Sequence, residues 1–223
     1  MQEKKQSKDT NPNTQKERQE KILRRLEIIS AILISLATVA SAWCAYQSAL
    51  WGGEESISYN AAGAARTESV RYSNQALQLL TIDVNMFTQF AAAYSNQDEF
   101  LFDFLMARFR PEMKVAVEAW LETEPLKNPD APASPFDMVE YQSEAQEEAD
   151  RLLVEVDRHL DQARQNDKYA DRYVLLTVIF ASVLFFGGMS SEFKSLKIRT
   201  GLVAFSTLTF LVTLVFVLTF PII

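Results

Sequence analysis

Three stretches of the chain contain no acidic or basic residue and are long enough to cross a bilayer. They cover residues 28–53, 173–191 and 200–223, and the first is 26 residues long. A membrane-spanning helix needs about 20 consecutive, mainly apolar residues. The pattern therefore predicts three transmembrane helices, the last two separated by a short linker.

The segment after the first span has apolar residues at helical spacing. Between residues 57 and 94 they recur at alternating steps of three and four, which is a heptad pattern. The heptad seam consists of Val70, Ser73, Leu77, Leu80, Val84, Phe87, Ala91 and Tyr94, and a second stripe beside it of Ala76, Leu79, Met86 and Phe90. A helix with two apolar stripes contacts more than one neighbour. We therefore predict that it lies in the middle of a bundle, and that Gly52 and Gly53 loosen the chain before it.

A second long helix is predicted over residues 137–170, and no Pro or Gly interrupts the sequence between Phe136 and Phe186. Its apolar positions repeat with a period of eleven residues, which favours nearly straight pairing. They are Met138, Tyr141, Ala145, Ala149, Leu152, Val156, Leu160 and Ala163. Because one long helix leaves the membrane and the other returns to it, the two are expected to pack antiparallel.

The connection between the long helices has three parts. Residues 98–109 are apolar on nearly all sides but too short to span a membrane. Burial beneath the bundle is the favoured interpretation, and the alternatives are the outer leaflet or a subunit interface. Pro111 suits the first turn of a short helix ending at Leu121. Four prolines between residues 125 and 135 then predict a loop without a helix.

These elements predict an all-α protein with three transmembrane helices and an extracytoplasmic antiparallel helical bundle or stalk. The predicted divisions are a disordered cytoplasmic tail (1–20), an N-terminal helix with the first span (21–53), an extracytoplasmic helical domain (54–172), the second span (173–191), a cytoplasmic linker (192–199) and the third span (200–223). The first helix is expected to begin near Gln19.

Charge is distributed unevenly among these divisions. Residues 1–27 carry eight basic and five acidic residues, whereas residues 51–172 carry 11 basic and 23 acidic residues, a net charge of −12. The segment 190–199 carries three basic residues and one acidic residue. Cytoplasmic flanks of spans are enriched in Lys and Arg. The N-terminus and the linker are therefore predicted to be cytoplasmic and the acidic domain to lie outside.

The first span carries a stripe of small residues and an aromatic end. Small residues at every fourth position let another helix approach closely, and they are Ala37, Ser41, Ala45 and Ala49. The expected partner is one of the later spans or a second copy of this span. Aromatic side chains favour the membrane–water boundary, and the predicted interface residues are Trp43, Tyr46, Trp51, Tyr169 and Tyr173. Residues 40–42 also resemble a signal-peptidase site, but the uncharged run continues past them, which favours an uncleaved span.

Few side chains in the sequence are candidates for catalysis or for ligand binding. Asp83 lies within the second apolar stripe of the long helix. It is expected to be tilted to solvent or paired locally, and the alternative is a buried carboxylate that fixes register or binds a ligand. One histidine, His159, and one cysteine, Cys44, cannot form a serine triad or a multi-cysteine metal site. No catalytic, cofactor-binding or metal-binding residue is predicted, and no cofactor. The acidic outer domain lacks a basic patch for nucleic acid.

Several short motifs together carry a resemblance. They are AYQ at 45–47 with WG at 51–52, RFRPE at 108–112, AWL at 119–121, the Pro-rich run PLKNPDAP at 125–132, SPF at 134–136 and EY at 140–141. Over most of its length beyond residue 25, the chain resembles a group of uncharacterised bacterial three-span integral membrane proteins. The resemblance implies the bacterial inner (plasma) membrane, with a cytoplasmic N-terminus and a periplasmic or extracellular central domain. It implies no activity.

Two functions remain open from the sequence. The first is a non-enzymatic scaffold, accessory or interaction subunit, with the lipid bilayer and either a second copy or a membrane-protein partner as its contacts. The alternative is a subunit of an oligomeric channel or transporter, because three spans cannot enclose a pore alone. The interiors of the spans contain no ionisable residue of the kind that ion-coupled transport usually needs. No enzymatic activity is predicted.

Overall fold

The computed structural model describes residues 12–223, with side chains from Lys16 onward. Its helices are α1 (Pro12–Ser95), α2 (Glu99–Met106), α3 (Pro111–Glu122), α4 (Glu144–Met189) and α5 (Leu196–Thr219). Two short 3₁₀ helices cover Pro135–Asp137 and Ser190–Glu192. No strand occurs among the described residues, which confirms the predicted all-α class.

α1 is one unbroken helix of 84 residues. The predicted loosening at Gly52 and Gly53 is wrong, because both residues are helical. Each glycine costs only about 1 kcal/mol in a helix interior, too little to interrupt a helix that packs on either side. The helix also begins at Pro12 instead of near Gln19, so residues 12–20 of the predicted disordered tail are helical. The rest of that predicted tail lies outside the described residues.

α4 begins at Glu144, seven residues later than the sequence pattern predicts. Two polar caps explain the difference. The Asp137 carboxylate accepts hydrogen bonds from the backbone and hydroxyl of Ser134, which closes the 3₁₀ turn. The Ser143 hydroxyl then accepts from the backbone N–H of Gln146, in the first turn of α4. Local side-chain bonds of this kind compete with a continuous helix.

The chain divides into two compact units. The span unit contains residues 12–57 and 162–223, and the acidic unit contains Ser58–Asp161. α1, α4 and α5 are the three helices long and apolar enough to cross a membrane. This agrees with the three predicted spans.

In the span unit, the three helices pack around one apolar core. α1 and α4 run antiparallel, since Ser30 hydrogen-bonds Ser190 at one end while Trp51 stacks against Tyr169 at the other. The core residues are Leu33, Ala37, Cys44, Tyr173, Leu176, Phe180, Val183, Phe210 and Val217. α5 is joined to α1 by an ion pair between Arg199 and Glu27, with 3.0 Å between Nη2 and Oε1.

The acidic unit pairs α1 with α4, again antiparallel. Ala62 and Ala65 pack against Val156, and the Ser69 hydroxyl donates to the carbonyl of Ala149 at 2.9 Å. On α4 the buried positions Ala145, Ala149, Leu152 and Val156 follow the predicted period. On α1 the buried seam is the predicted second stripe. Its buried or half-buried members are Ser69, Tyr72, Ala76, Leu79, Asp83, Met86, Phe90 and Ala93.

Half of the heptad seam predicted on α1 is exposed, whereas Ser73, Phe87, Ala91 and Tyr94 are half-buried. Val70, Leu77, Leu80 and Val84 are all accessible to solvent. Period alone cannot distinguish two apolar stripes on one helix, and burial here follows the stripe that carries Phe90 and the small Ala76. A small residue lets another helix approach closely, and a large aromatic ring elsewhere on the same stripe fills the space between the helices.

α2 and α3 pack across the end of α1 through aromatic side chains. Phe90 lies against Phe102 and Phe109, with ring centroids 4.8 and 5.3 Å apart. The indole N–H of Trp120 donates to the carbonyl of Pro132 at 2.8 Å, which fastens the Pro-rich loop. Burial predicted for residues 98–109 is therefore correct for Leu105 and Phe109, whereas Phe100 is exposed.

Candidate interaction site of the acidic unit

A buried carboxylate connects three parts of the acidic unit. Asp83 is fully buried, and Arg110 donates to both of its oxygens, from Nε at 3.2 Å and from Nη2 at 2.6 Å. The Tyr141 hydroxyl donates to Oδ2 at 3.1 Å. A two-point guanidinium–carboxylate contact fixes both distance and orientation. This arrangement therefore fixes the register of α1 against α3 and against the segment before α4.

Each partner is placed by its local structure. Arg110 is the N-cap residue of α3, and Pro111 occupies the first helical turn, where its missing N–H does no harm. Glu112 lies next to it, with its Oε2 3.3 Å from Nη1 of Arg110. Tyr141 lies in the irregular segment between Pro135–Asp137 and α4. The sequence pattern singled out Asp83, but neither of its partners, because they lie 27 and 58 positions away.

The buried contact changes the acidity of its donors. The hydrogen bond to Asp83 raises the pKa of Arg110 above its usual range. Burial, together with the nearby Asp83 charge, raises the pKa of Tyr141 from 10.0 to about 12. Both donors therefore keep their protons throughout the physiological range, and the three side chains form a fixed structural contact.

The structure does not bring the predicted small-residue stripe together on one packed face. Ala37 is buried and Ser41 is half-buried, whereas Ala45 and Ala49 are exposed. Burial in this part of α1 instead follows Leu33, Ala37, Cys44 and Gln47. The later spans therefore do not bury Ala45 and Ala49, and contact of these residues with a second copy of the span stays a prediction. Steps of four drift around a helix of 3.6 residues per turn, whereas alternating steps of three and four keep one face.

The predicted interface aromatics gather at one end of the span unit. Trp43 and Tyr46 are exposed, and the Trp51 ring lies 4.7 Å from that of Tyr169. Tyr173 differs from the expectation, because it is fully buried and its hydroxyl donates to the carbonyl of Pro221 at 3.1 Å.

Gln47 is a polar contact that sequence analysis missed. It is fully buried, and its amide exchanges two hydrogen bonds with the backbone of Ile223. A buried amide without hydrogen-bond partners costs free energy. A glutamine inside an uncharged span therefore indicates a polar contact, and this signal was present in the sequence.

Between Arg71 and Asp98, the outer face of α1 carries no charge. Asp83 is the single charged residue between Arg71 and Asp98, and it is buried. The exposed residues of this stretch are apolar, amide or hydroxyl residues such as Leu77, Gln78 and Thr81. The exposed face of α4 in the same unit is charged at Glu147, Asp150, Arg151, Asp157 and Arg158.

An apolar stripe that we call the outer stripe begins just before this neutral face and continues along it. It consists of Val70, Leu77, Leu80 and Val84, which are 55, 60, 36 and 41% exposed. They occupy positions of the heptad seam predicted from the sequence. Heptad spacing is the pattern by which one helix packs along another.

Within the part of the chain that the structure describes, no three His, Cys, Asp or Glu side chains form a set that could hold a metal ion. His159 lies half-buried on α4, and Cys44 is buried in the span unit.

Comparisons with family models, with curated proteins and with solved structures found no match for this chain. The resemblance to a bacterial three-span group therefore stays a prediction.

Proposed function

We propose that the protein is a non-enzymatic integral membrane protein that acts as a scaffold or accessory subunit and assembles with copies of itself through the outer stripe of α1. The acidic unit lies outside the cytoplasm of a bacterial cell in this proposal. The observation that carries the proposal is an exposed apolar heptad stripe on α1, three of whose four residues lie in the uncharged stretch between Arg71 and Asp98 of an otherwise acidic unit.

Charge favours a second copy as the occupant of the outer stripe. The acidic unit, Ser58–Asp161, contains 8 basic and 19 acidic residues, so two copies repel each other over most of their surfaces. The neutral face of α1 lets them meet without opposing like charges. Thr81 and Asn85 flank the stripe with uncharged polar groups, which suits two identical surfaces.

The spacing of the stripe also suits packing between two identical helices that lie side by side. Copies inserted in one membrane share one orientation, so their α1 helices meet in parallel. Val70, Leu77 and Val84 then occupy one heptad position and Leu80 the other, and β-branched residues at the first position with leucine at the second favour two-stranded pairing. The proposal is therefore a parallel dimer along α1.

The hydrogen bonds of the threonine hydroxyls in the third span favour the scaffold proposal over the alternative of a channel subunit. Thr207 and Thr213 donate to the carbonyls of Val203 and Thr209, one turn earlier in the same helix. These hydroxyls therefore spend their donated hydrogen bond within their own helix and do not offer it to a polar path.

The test measures the mass of the full-length protein in mild detergent and in lipid nanodiscs by native mass spectrometry. The wild type is expected to be a dimer, and the double variant Leu77→Glu/Val84→Glu a monomer, because it places four carboxylates at the two-fold contact. The matched control is Leu153→Glu/Val154→Glu, which adds the same charges at exposed positions of α4. This control should stay dimeric.

Circular dichroism should give the same helical content for all three proteins, because every substituted residue is exposed. A wild type that is monomeric in both settings would overturn the proposed assembly. So would a stripe variant that retains the wild-type mass.

A further inference from the structure

The acidic unit contains a cavity at the C-terminal end of α1. Its volume is about 620 Å³, within the range of about 300–1,000 Å³ typical of small-molecule sites. Apolar and aromatic side chains contribute to its lining, namely Tyr94, Phe102, Leu121 and Leu126. No residue of the outer stripe lines this cavity, so the cavity is independent of the proposed assembly.

Two helix ends give this cavity a negative electrostatic character. α1 ends at Ser95 and α3 at Glu122, and the chain turns after each through a residue with positive φ, Gln97 at 59° and Glu124 at 52°. A helix C-terminus carries a partial negative charge that favours cations. α2 begins nearby, but the Asp98 side chain caps its N-terminus by accepting from the N–H of Leu101.

Four carboxylates and one ammonium group line the same cavity: Asp98, Glu99, Asp103, Glu124 and Lys127. Lys127 pairs with Glu124, with Nζ 3.4 Å from Oε1. Glu99 and Asp103 take part in no ion pair among residues 16–223. They lie four residues apart on α2, where two like charges are mutually destabilising. A bound cation would relieve that repulsion.

The aromatic side chains of the cavity provide a contact surface for an uncharged part of a cationic ligand. The rings of Tyr94 and Phe102 lie 6.0 Å apart, and Phe102 packs on Phe90, which is buried. Aromatic faces attract organic cations as well as apolar groups. An inorganic ion would leave this part of the lining without a contact.

We propose that this cavity binds a small organic cation with an apolar, aromatic body, such as an arylalkylamine. The carboxylates of Glu99 and Asp103 neutralise the amine, and Tyr94, Phe102 and Leu126 contact the body.

The experiment titrates three probes into the full-length protein in zwitterionic lipid nanodiscs and follows binding by ligand-observed NMR. Empty nanodiscs supply the background. Tryptamine has the charge and the body, tryptophol has the body with a neutral hydroxyl, and ethylamine has the charge without the body. Tryptamine is expected to bind at least about tenfold more tightly than either of the others, and less tightly as salt rises.

Variants connect the binding to the cavity. Glu99→Gln/Asp103→Asn should weaken tryptamine binding by about tenfold. The control Glu147→Gln/Asp150→Asn removes the same charge from the exposed face of α4 and should leave the affinity unchanged. All four positions are exposed, so folding should be retained, which circular dichroism checks.

Equal affinities for tryptamine and tryptophol would overturn the role of charge. Equal affinities for tryptamine and ethylamine would overturn the role of the aromatic body and reduce the site to a simple cation site. Equal effects of the two double variants would show that tryptamine binds elsewhere, and would also overturn the proposal. None of these outcomes alters the dimer test, since the cavity and the outer stripe share no residue.

Discussion

Asp83 shows how one residue can determine the packing of its unit. It occupies a position of the buried seam that would ordinarily hold an apolar side chain, and it is satisfied by Arg110 and Tyr141. A buried carboxylate is tolerated only when its partners fill its hydrogen-bonding capacity. The contact is therefore specific, because a shift of α1 by one turn would separate the buried Asp83 carboxylate from both of these donors.

Asp83→Ala should lower the free energy of unfolding by about 1–3 kcal/mol, because it removes three hydrogen bonds and leaves Arg110 with Glu112 as its remaining ion-pair partner. Thermal unfolding of the full-length protein, followed by circular dichroism, measures the effect. Glu148→Ala is the control, since Glu148 pairs with Arg151 at the surface, where solvent screens the charges. Equal shifts of the two midpoints would mean that the buried pair contributes no more than a surface pair.

Tyr141 should make stability depend on pH in the alkaline range. Its pKa is raised to about 12 in the folded protein from an ordinary value of 10.0. A proton held more tightly by the folded state stabilises it below the unfolded pKa, and this stabilisation is lost as pH rises through the folded pKa.

The comparison is between the wild type and Tyr141→Phe, in thermal unfolding from pH 9 to about pH 12. The wild type should be the more stable below pH 10, and the gap should narrow as pH rises towards 12. All other tyrosines are the same in both proteins, so the gap isolates Tyr141. A gap that stays constant with pH would contradict the assignment.

At the scale of elements, α1 is a helix with two apolar stripes that serve different contacts. The seam that includes Asp83 and Phe90 packs within the chain, and the outer stripe faces solvent. α4 has only one such seam in the acidic unit, and its opposite face is charged. This asymmetry is why α1, and not α4, carries the proposed assembly surface.

Two adjacent leucines on α4 test the buried seam. Leu152 is 8% exposed and Leu153 is 47% exposed. Leu152→Ala should cost about 2–5 kcal/mol of unfolding free energy, because it leaves a cavity in the packed seam. Leu153→Ala, the same change one position along, should cost less than about 1 kcal/mol. Thermal unfolding of both variants gives the comparison, and similar losses would mean that the seam does not pack.

At the scale of the whole molecule, charge is segregated along the chain. Basic residues flank the first span and fill the linker before α5, whereas residues 51–172 have a net charge of −12. Arg199 contributes to this pattern although it is buried, since its guanidinium pairs with Glu27. The ion pair between Arg199 and Glu27 therefore lies at the ends of the spans where the basic residues are concentrated.

Topology is tested with reporter fusions in a bacterial host. An alkaline phosphatase fused after Asp130 should be active, because this enzyme folds only outside the cytoplasm, and one fused after Lys197 should be inactive. Green fluorescent protein at the same two positions is the reciprocal control. The reverse pattern at both positions would contradict the proposed orientation.

The sequence alone determined the parts of this protein that depend on local composition. An uncharged run of about 20 residues is sufficient to predict a span, and all three predicted spans coincide with apolar helices. The seam of α4 was also correct, since a single apolar stripe leaves one choice of buried face. Asp83 was recognised as unusual because a charge stood among apolar neighbours.

Tertiary structure decided what depends on distant partners. Which stripe of α1 is buried follows from the fit of Phe90 with Phe102 and Phe109, and both partners lie in the connection after α1. Arg110 and Tyr141 meet Asp83 only because α3 and the start of α4 return to the same point of α1. The cavity likewise forms where two helix ends, distant in sequence, come together. Periodicity records which residues share a face of one helix, but the burial of that face is set by the shape of what packs against it.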